Sequence, residues 1–264
     1  MQILKNSFLF IYFLCLQNIV FATENLDTPI GVASRINIGN IRLNSPEHQE
    51  MVRKLDSFYA VQVNQKGFNG SVLIGSKGTI LYERYFGFAN KENNALWNKN
   101  TNSQLASTSK PFTGTAILML AEKGLLNIDD KVMQYIPEFP YENITIRMLL
   151  CHRSGLKDYI DFAGAPAERV FLNNDDIVKL FAEKKPSLYF TPNTKFKYCN
   201  TNYSMLASIV EKVSGMSFKF FMENYVFEKI GLENTFIHDP YMPSQNQAAN
   251  YKGGWTSYKD MSHD

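Results

Sequence analysis

The sequence is short of charge imbalance, cysteine, clustered histidine and long apolar runs, and each shortage removes a class of protein. Among 264 residues, Lys+Arg number 27 and Asp+Glu 25, a net charge of +2. So balanced a chain has no basic run interleaved with aromatics. It offers no electrostatic footprint for a nucleic acid or another polyanion. The four histidines, His48, His152, His238 and His263, are scattered, and no His/Cys cluster stands at zinc-ligand spacing. No metal or other cofactor is expected. A Gly-x-Ser-x-Gly run, which the nucleophile elbow of an α/β-hydrolase requires, does not occur. Three cysteines are present, and only Cys151 and Cys199 lie beyond the N-terminal segment. One pair is no disulfide framework, and both are read as free or partly buried thiols. There are no internal repeats and no low-complexity linker.

The longest apolar stretch, Ser7–Phe21, follows a short N-terminus carrying Lys5 and precedes Ala22. It is short for a spanning helix. Residues 1–22 are read as a secretory signal cleaved after Ala22, with a retained signal anchor as the other reading. The expected product is one domain, residues 23–264, exported to the periplasm or secreted, with no stable membrane span. Its oligomeric state is open. A hydrophobic content of 45% supplies an ordinary globular core.

What is present divides into a helix with a hairpin, then a long helical block. Ser45-Pro46-Glu47 reads as N-cap, first helical position and first-turn acid. Met51, Leu55, Phe58 and Val61 then form an apolar stripe closed by Gly67. Ser71–Ile74 and Thr79–Phe86 alternate like strands and are joined by Gly75–Gly78. A polar loop, Lys91–Asn102, follows. Helices are then predicted over the apolar run after Ser107, within Leu125–Tyr135, and over Ile144–Leu150, Asn173–Lys184, Tyr203–Val213 and Ser217–Ile230. The last two are closed by Gly215 and Gly231. Strands segregated from helices make the fold class α+β.

Two local patterns carry chemistry. Residues 105–124 read LASTSKPFTGTAILMLAEKG. Ser107 and Lys110, three apart at the start of a helix, share one face. They fit a polar helix cap, or a serine nucleophile whose proton a nearby amine removes. Pro111 suits the first turn, and the free amides there favour a developing oxyanion. Ser154…Lys157 has the same spacing without a helical run and is read as a chance match. The second pattern is Tyr198-Cys199-Asn200. In an extended segment residues two apart point the same way, so Tyr198 and Asn200 share a face and Cys199 turns away. This fits a proton-transfer phenol beside a substrate-binding amide, or a buried Tyr with an Asn N-cap. His152 is read as a packed structural residue.

Taken together these segments resemble the serine β-lactamase and penicillin-binding-protein superfamily, and more closely its class C β-lactamase-like hydrolases. Phe68–Ile74 is similar to the first core strand, Tyr85–Asn90 to the segment leaving the second, and Ser107–Lys110 to the nucleophile motif. Leu126–Pro140, Ile144–Leu156 and Tyr198–Asn200 resemble later family segments in the expected order. The resemblance implies an antiparallel sheet beside a helical block. It implies an acyl-enzyme on Ser107, Lys110 and Tyr198 sharing the acid/base work, and Asn200 holding the substrate amide. The substrate class would be a β-lactam, a D-amino-acid (peptidoglycan-like) peptide or a small ester. Asn193 stands where glycine is usual after Pro192, and Asn tolerates left-handed geometry. Cys151 stands where threonine or serine is usual. After Asn200 the family's Lys-Thr-Gly or His-x-Gly is matched only loosely by Lys252-Gly253-Gly254. That triplet fits better in a glycine-rich turn running to Met261. The expectation is therefore a chain lacking the C-terminal strands, with doubtful turnover. A non-catalytic envelope protein keeping a remnant of the fold is the alternative.

Overall fold

The computed structural model describes residues 41–161, 172–239, Ser244 and 246–251. The leader at 1–22 and the glycine-rich turn at 252–261 lie outside the described residues. The chain forms two compact units, one running to residue 103 and resuming at Ser244, the other beginning at Gln104.

In the first unit, helix α1 spans Pro46–Lys66. Ser45 caps it by accepting from the His48 N–H, and Gly67 ends it with a left-handed φ of 69°. Strands β1 (Gly70–Ser76) and β2 (Thr79–Phe86) pair antiparallel across Lys77-Gly78. Both turn residues have positive φ, 50° and 78°, the geometry whose twist suits a two-residue hairpin. The strand therefore runs through Gly75 and Ser76, which sequence assigned to the turn. The register slips between Ile74 and Gly75, leaving Leu81 as an extra residue in β2. That bulge breaks the alternation, so the adjacent Leu81 and Tyr82 are both buried. The Leu81 carbonyl meets the buried His48 Nε2 at 2.7 Å, and the Tyr59 ring stacks on Tyr82 and Phe86, fastening α1 to the hairpin. A small ribbon of β3 (Phe88–Asn90) and β4 (Ala95–Leu96) follows. Asn69 secures its start by exchanging two hydrogen bonds with the Phe88 backbone.

The second unit is helical and holds the larger core. A tight turn, Ala106–Ser109, leads into α2 (Lys110–Glu122). Then come α3 (Ile146–Leu150), α4 (Asn174–Lys184), α5 (Asn200–Ser214) and α6 (Phe218–Phe221). The last continues through a wider turn, Met222–Phe227, and a tighter one, Glu228–Ile230, to left-handed Gly231. Helix α5 runs through the middle, packed on α2, α3 and α4. Ile117, Leu120, Ile146, Phe181, Met205 and Ile209 are sealed from solvent within this core. The Asn173–Asp176 capping box starts α4.

The helix expected within Leu125–Tyr135 is reduced to one tight turn, Val132–Gln134. Its acids serve other partners. Asp129 holds Arg147 through two hydrogen bonds, while Asp130 accepts from the Asn127 N–H and the Tyr135 hydroxyl. A side chain committed to loop closure cannot cap a helix start. Helix α5 begins three residues before the expected Tyr203, a difference that matters for the site.

Phe181 is fully buried, and its ring meets Tyr141 edge-on. Phe181→Ala removes that side chain and leaves a cavity, at a cost of about 3–5 kcal/mol. Denaturant unfolding followed by far-UV circular dichroism should show the midpoint fall accordingly. Phe196→Ala, at a 66% exposed position, should move it by less than about 0.5 kcal/mol.

Candidate active site

Ser107 lies in the tight turn that feeds α2, directly after Ala106, whose φ is 46°. A left-handed alanine is uncommon and costs about 1–2 kcal/mol. It turns the chain sharply just ahead of the serine. Ser109 steadies the turn by donating to the Ala106 carbonyl at 2.7 Å. Lys110 is the first residue of α2, and its Nζ stands 3.1 Å from Ser107 Oγ. The short Ser-x-x-Lys pattern therefore yields a direct contact, and Ser107 is no helix cap, since no side chain caps α2.

Tyr198 and Asn200 reach the same point from the other end of the unit. Cys199 between them is extended, with φ −155° and ψ 123°. Its side chain is buried, while Tyr198 remains 44% exposed. The phenol oxygen stands 2.6 Å from Ser107 Oγ, and Asn200 Oδ1 accepts from Lys110 Nζ at 2.8 Å. Tyr198 also approaches Asn200 Oδ1 at 3.3 Å. Asn200 is the first residue of α5, and its side chain makes no cap bond there. The reading of a buried Tyr with an Asn cap does not fit this geometry. The Lys110 ammonium end lies 5.0 Å from the Tyr198 ring centre and 5.7 Å from that of Tyr203, in range of ring-face attraction. All four residues belong to the second unit.

Behind the four sits a layer of polar groups. His152, with φ 55°, takes hydrogen bonds at Nδ1 from the Cys199 N–H (3.2 Å) and Asn202 Nδ2 (3.1 Å). Two donors on one nitrogen require the neutral tautomer protonated at Nε2. Burial, then the nearby charge of Lys110, lowers the His152 pKa from its ordinary range. Its ring lies 4.6 Å from that of Tyr198 and supports it from behind. Ser154, the second Ser-x-x-Lys serine, is buried and donates to Asn202 Oδ1 at 2.6 Å. It is a structural hydroxyl. The left-handed position assigned to Asn193 is observed at φ 66°, where its side chain meets Arg153 Nε at 2.8 Å. Cys151 is exposed and Cys199 buried, and both are free.

Sequence reasoning passed over Asp158, Thr201 and Asn202. Asp158 binds both nitrogens of Asn200, and Thr201 and Asn202 are fully buried at the start of α5. The available signal was the polar run Asn200-Thr201-Asn202 opening an otherwise apolar helix.

Comparison with known proteins bears on the family and the fold of the chain. The family model described as "Beta-lactamase" matches residues 55–262. A penicillin-binding protein of Bacillus subtilis (strain 168) is 39% identical over 193 residues, covering 72% of this chain and 43% of that protein. The crystal structure of a penicillin-binding protein from Bacillus halodurans superposes with a TM-score of 0.69 at 27% identity, covering 78% of this chain and 63% of the other. A class C β-lactamase in complex with cefoxitin shares the fold at 20% identity and a TM-score of 0.65, covering 82% and 60%. The chain belongs to the β-lactamase family, a serine-hydrolase family, and has its α+β, transpeptidase-like fold. It spans about half the length of the curated relatives it matches.

The lowered pKa of His152 fixes the sign of one pH effect. In the unfolded chain this histidine takes up a proton as the pH falls through its ordinary value of 6.5, while the folded site resists it. Stability is therefore intact above that value and declines as the pH falls toward the lower folded value. Thermal melts between about pH 7 and pH 5 should show the wild-type midpoint falling. His152→Asn keeps an acceptor and tolerates positive φ, so its midpoint should fall less steeply. Parallel slopes would remove His152 as the cause.

Proposed function

We propose that the chain carries the site of an exported serine hydrolase that works through an acyl-enzyme on Ser107. The observation that carries this reading is the convergence of Lys110 Nζ and the Tyr198 hydroxyl on one serine oxygen, at 3.1 and 2.6 Å. With Lys110 as the neutral amine, the Ser107 proton passes to it directly or through the Tyr198 phenol. Oγ bonds to the substrate carbonyl carbon. The Ser107 backbone N–H, at the positive end of α2, donates to the oxygen that gains charge. Collapse breaks the C–N or C–O bond, and the leaving group takes its proton from Tyr198. Water, activated by the same groups, then releases the acid. Asn200 supplies an amide contact for the substrate.

A β-lactam, a peptidoglycan-like D-amino-acid peptide or a small ester fits such a carbonyl-directed site. The family's second oxyanion donor is expected on a strand following the glycine-rich turn. Its loss from the catalytic unit would cost about 10²–10³ in rate. The alternative, a non-catalytic envelope protein, finds no specific support in a site whose serine has both proton partners in contact.

Incubation with a fluorescent penicillin or a fluorophosphonate should add one adduct, mapped to the peptide containing Ser107. Label retained by Ser107→Ala would place the nucleophile elsewhere. Lys110→Ala and Tyr198→Phe should slow acylation by about 10²–10⁴-fold. Wild-type rates in both variants would overturn the proton-handling assignment.

A further inference from the structure

Asp158 takes no part in the steps above, yet it makes the closest contact to Asn200. Its Oδ2 accepts from the Asn200 backbone N–H at 2.6 Å and from Asn200 Nδ2 at 2.9 Å. The other end of the same amide, Oδ1, faces Lys110 Nζ at 2.8 Å. The segment carrying Asp158 is fixed on both sides. Buried Thr201 donates its hydroxyl to the Lys157 carbonyl at 2.8 Å and accepts from the Tyr159 N–H at 2.9 Å. Upstream, Gly155 has a φ of 76° and its carbonyl accepts from Tyr189 N–H at 2.8 Å. A side chain at 155 would meet the Phe190 carbonyl oxygen at 2.2 Å. The loop is thus held to α5 by the Thr201 hydroxyl and, upstream, to the Tyr189–Phe190 segment by close backbone contact.

An amide has an accepting end and a donating end, and a half-turn exchanges them. An ionised carboxylate only accepts, so it holds the NH2 end. An ammonium only donates, so it holds the oxygen end. While Lys110 is charged, both neighbours enforce one orientation. When Lys110 becomes the neutral base, that side stops discriminating, because a neutral amine donates and accepts. A turned Asn200 would then offer N–H to the lysine lone pair and occupy it. The Tyr198 hydroxyl, 3.3 Å from Oδ1, can donate or accept and does not discriminate, so Asp158 is the neighbour that still opposes the turn, which would bring Oδ1 against a carboxylate oxygen. With Oδ1 held in place, Lys110 donates to Asn200 and its lone pair is left for the Ser107 proton.

We propose that Asp158 is a positioning residue for acylation: it locks the Asn200 amide so that Lys110 keeps its lone pair directed at Ser107. This rests on the assignment of Ser107 and Lys110 above. Asp158→Asn is close to isosteric but uncharged, and its single acceptor must also serve the Asn200 backbone N–H, so both its hold on the Asn200 NH2 end and its penalty on the turned amide are weakened. Asp158→Glu keeps an acceptor-only group.

The test is acylation by a fluorescent penicillin, timed by intact-mass spectrometry across probe concentrations and below every variant's melting midpoint. Asp158→Asn is expected to lower the limiting acylation rate by about 10–100-fold, by analogy with the loss of partners that orient metal-binding side chains. The half-saturating concentration reports separately on the substrate contact of Asn200, so the limiting rate is the readout of the effect on the base. Asp158→Glu should acylate faster than Asp158→Asn. In a Lys110→Ala background, Asp158→Asn should have no further effect, because its target is gone. A wild-type limiting rate in Asp158→Asn, a Glu variant no faster than the Asn variant, or equal losses with and without Lys110 would each overturn the proposal. The Ser107 assignment would survive any of these. A wild-type chain labelled at a residue other than Ser107, or not labelled at all, overturns both.

Discussion

The site depends on a polar seam between the first turn of α5 and the loop that follows α3. Cys199 N–H and Asn202 bind His152, Ser154 binds Asn202, and both faces of Thr201 are used by the backbone around Asp158. Ser154, Thr201 and Asn202 are buried. Left unpaired, each such group would cost about 1–3 kcal/mol, so the seam tolerates only the register in which every partner is met. Apolar packing of α5 against α2, α3 and α4 brings the elements together, but apolar surfaces slide. The hydrogen bonds of the seam select one axial position and one rotation for α5. Tyr198 and Asn200, just before and at its first residue, inherit that choice.

The other half of the site is placed by strain and by helix geometry. Ala106 takes a left-handed conformation without the freedom of glycine, and Ser107 follows it at the head of a tight turn. Strain of this kind persists only where surroundings over-determine it. Here the surroundings are the Ser109–Ala106 bond and a helix whose Ala116, Ile117 and Leu120 are embedded in the core. A rigid helix fixes Lys110, and the seam fixes Asn200. Their 2.8 Å contact joins the two rigid parts.

Local rules made each half of this site legible in the sequence. Spacing of three put Lys110 beside Ser107, and alternation put Tyr198 and Asn200 on one face with Cys199 turned inward. The same rules found α1 with its Ser45 cap, the hairpin, and α4 with its first-turn acids. No local rule brings Ser107 to Tyr198 across 91 positions, and only resemblance to a family supplied that link. The misses have the same origin. Asp129 and Asp130 look like a helix start but are consumed by Arg147, Asn127 and Tyr135. Asp158 looks like a solvated loop acid but is consumed by Asn200. The bulge at Leu81 coincides with its carbonyl meeting His48, 33 residues away. Asp130 is claimed by loop neighbours, and the others by partners distant in the chain.

The histidine in the seam shows why composition alone misleads about catalysis. His152 sits under Tyr198, close to a serine, and its residue type invites a role as general base. Its environment argues otherwise. Nδ1 already accepts from two donors, and taking a proton there would set a charged N–H against both. Burial and Lys110 oppose the charge as well. A base must gain a proton within the cycle, and this imidazole is arranged to refuse one. The His152 ring lies 4.6 Å from that of Tyr198 and backs it where the phenol donates to Ser107. On the proposed reading, proton transfer runs through Ser107, Lys110 and Tyr198, while the groups behind them hold geometry.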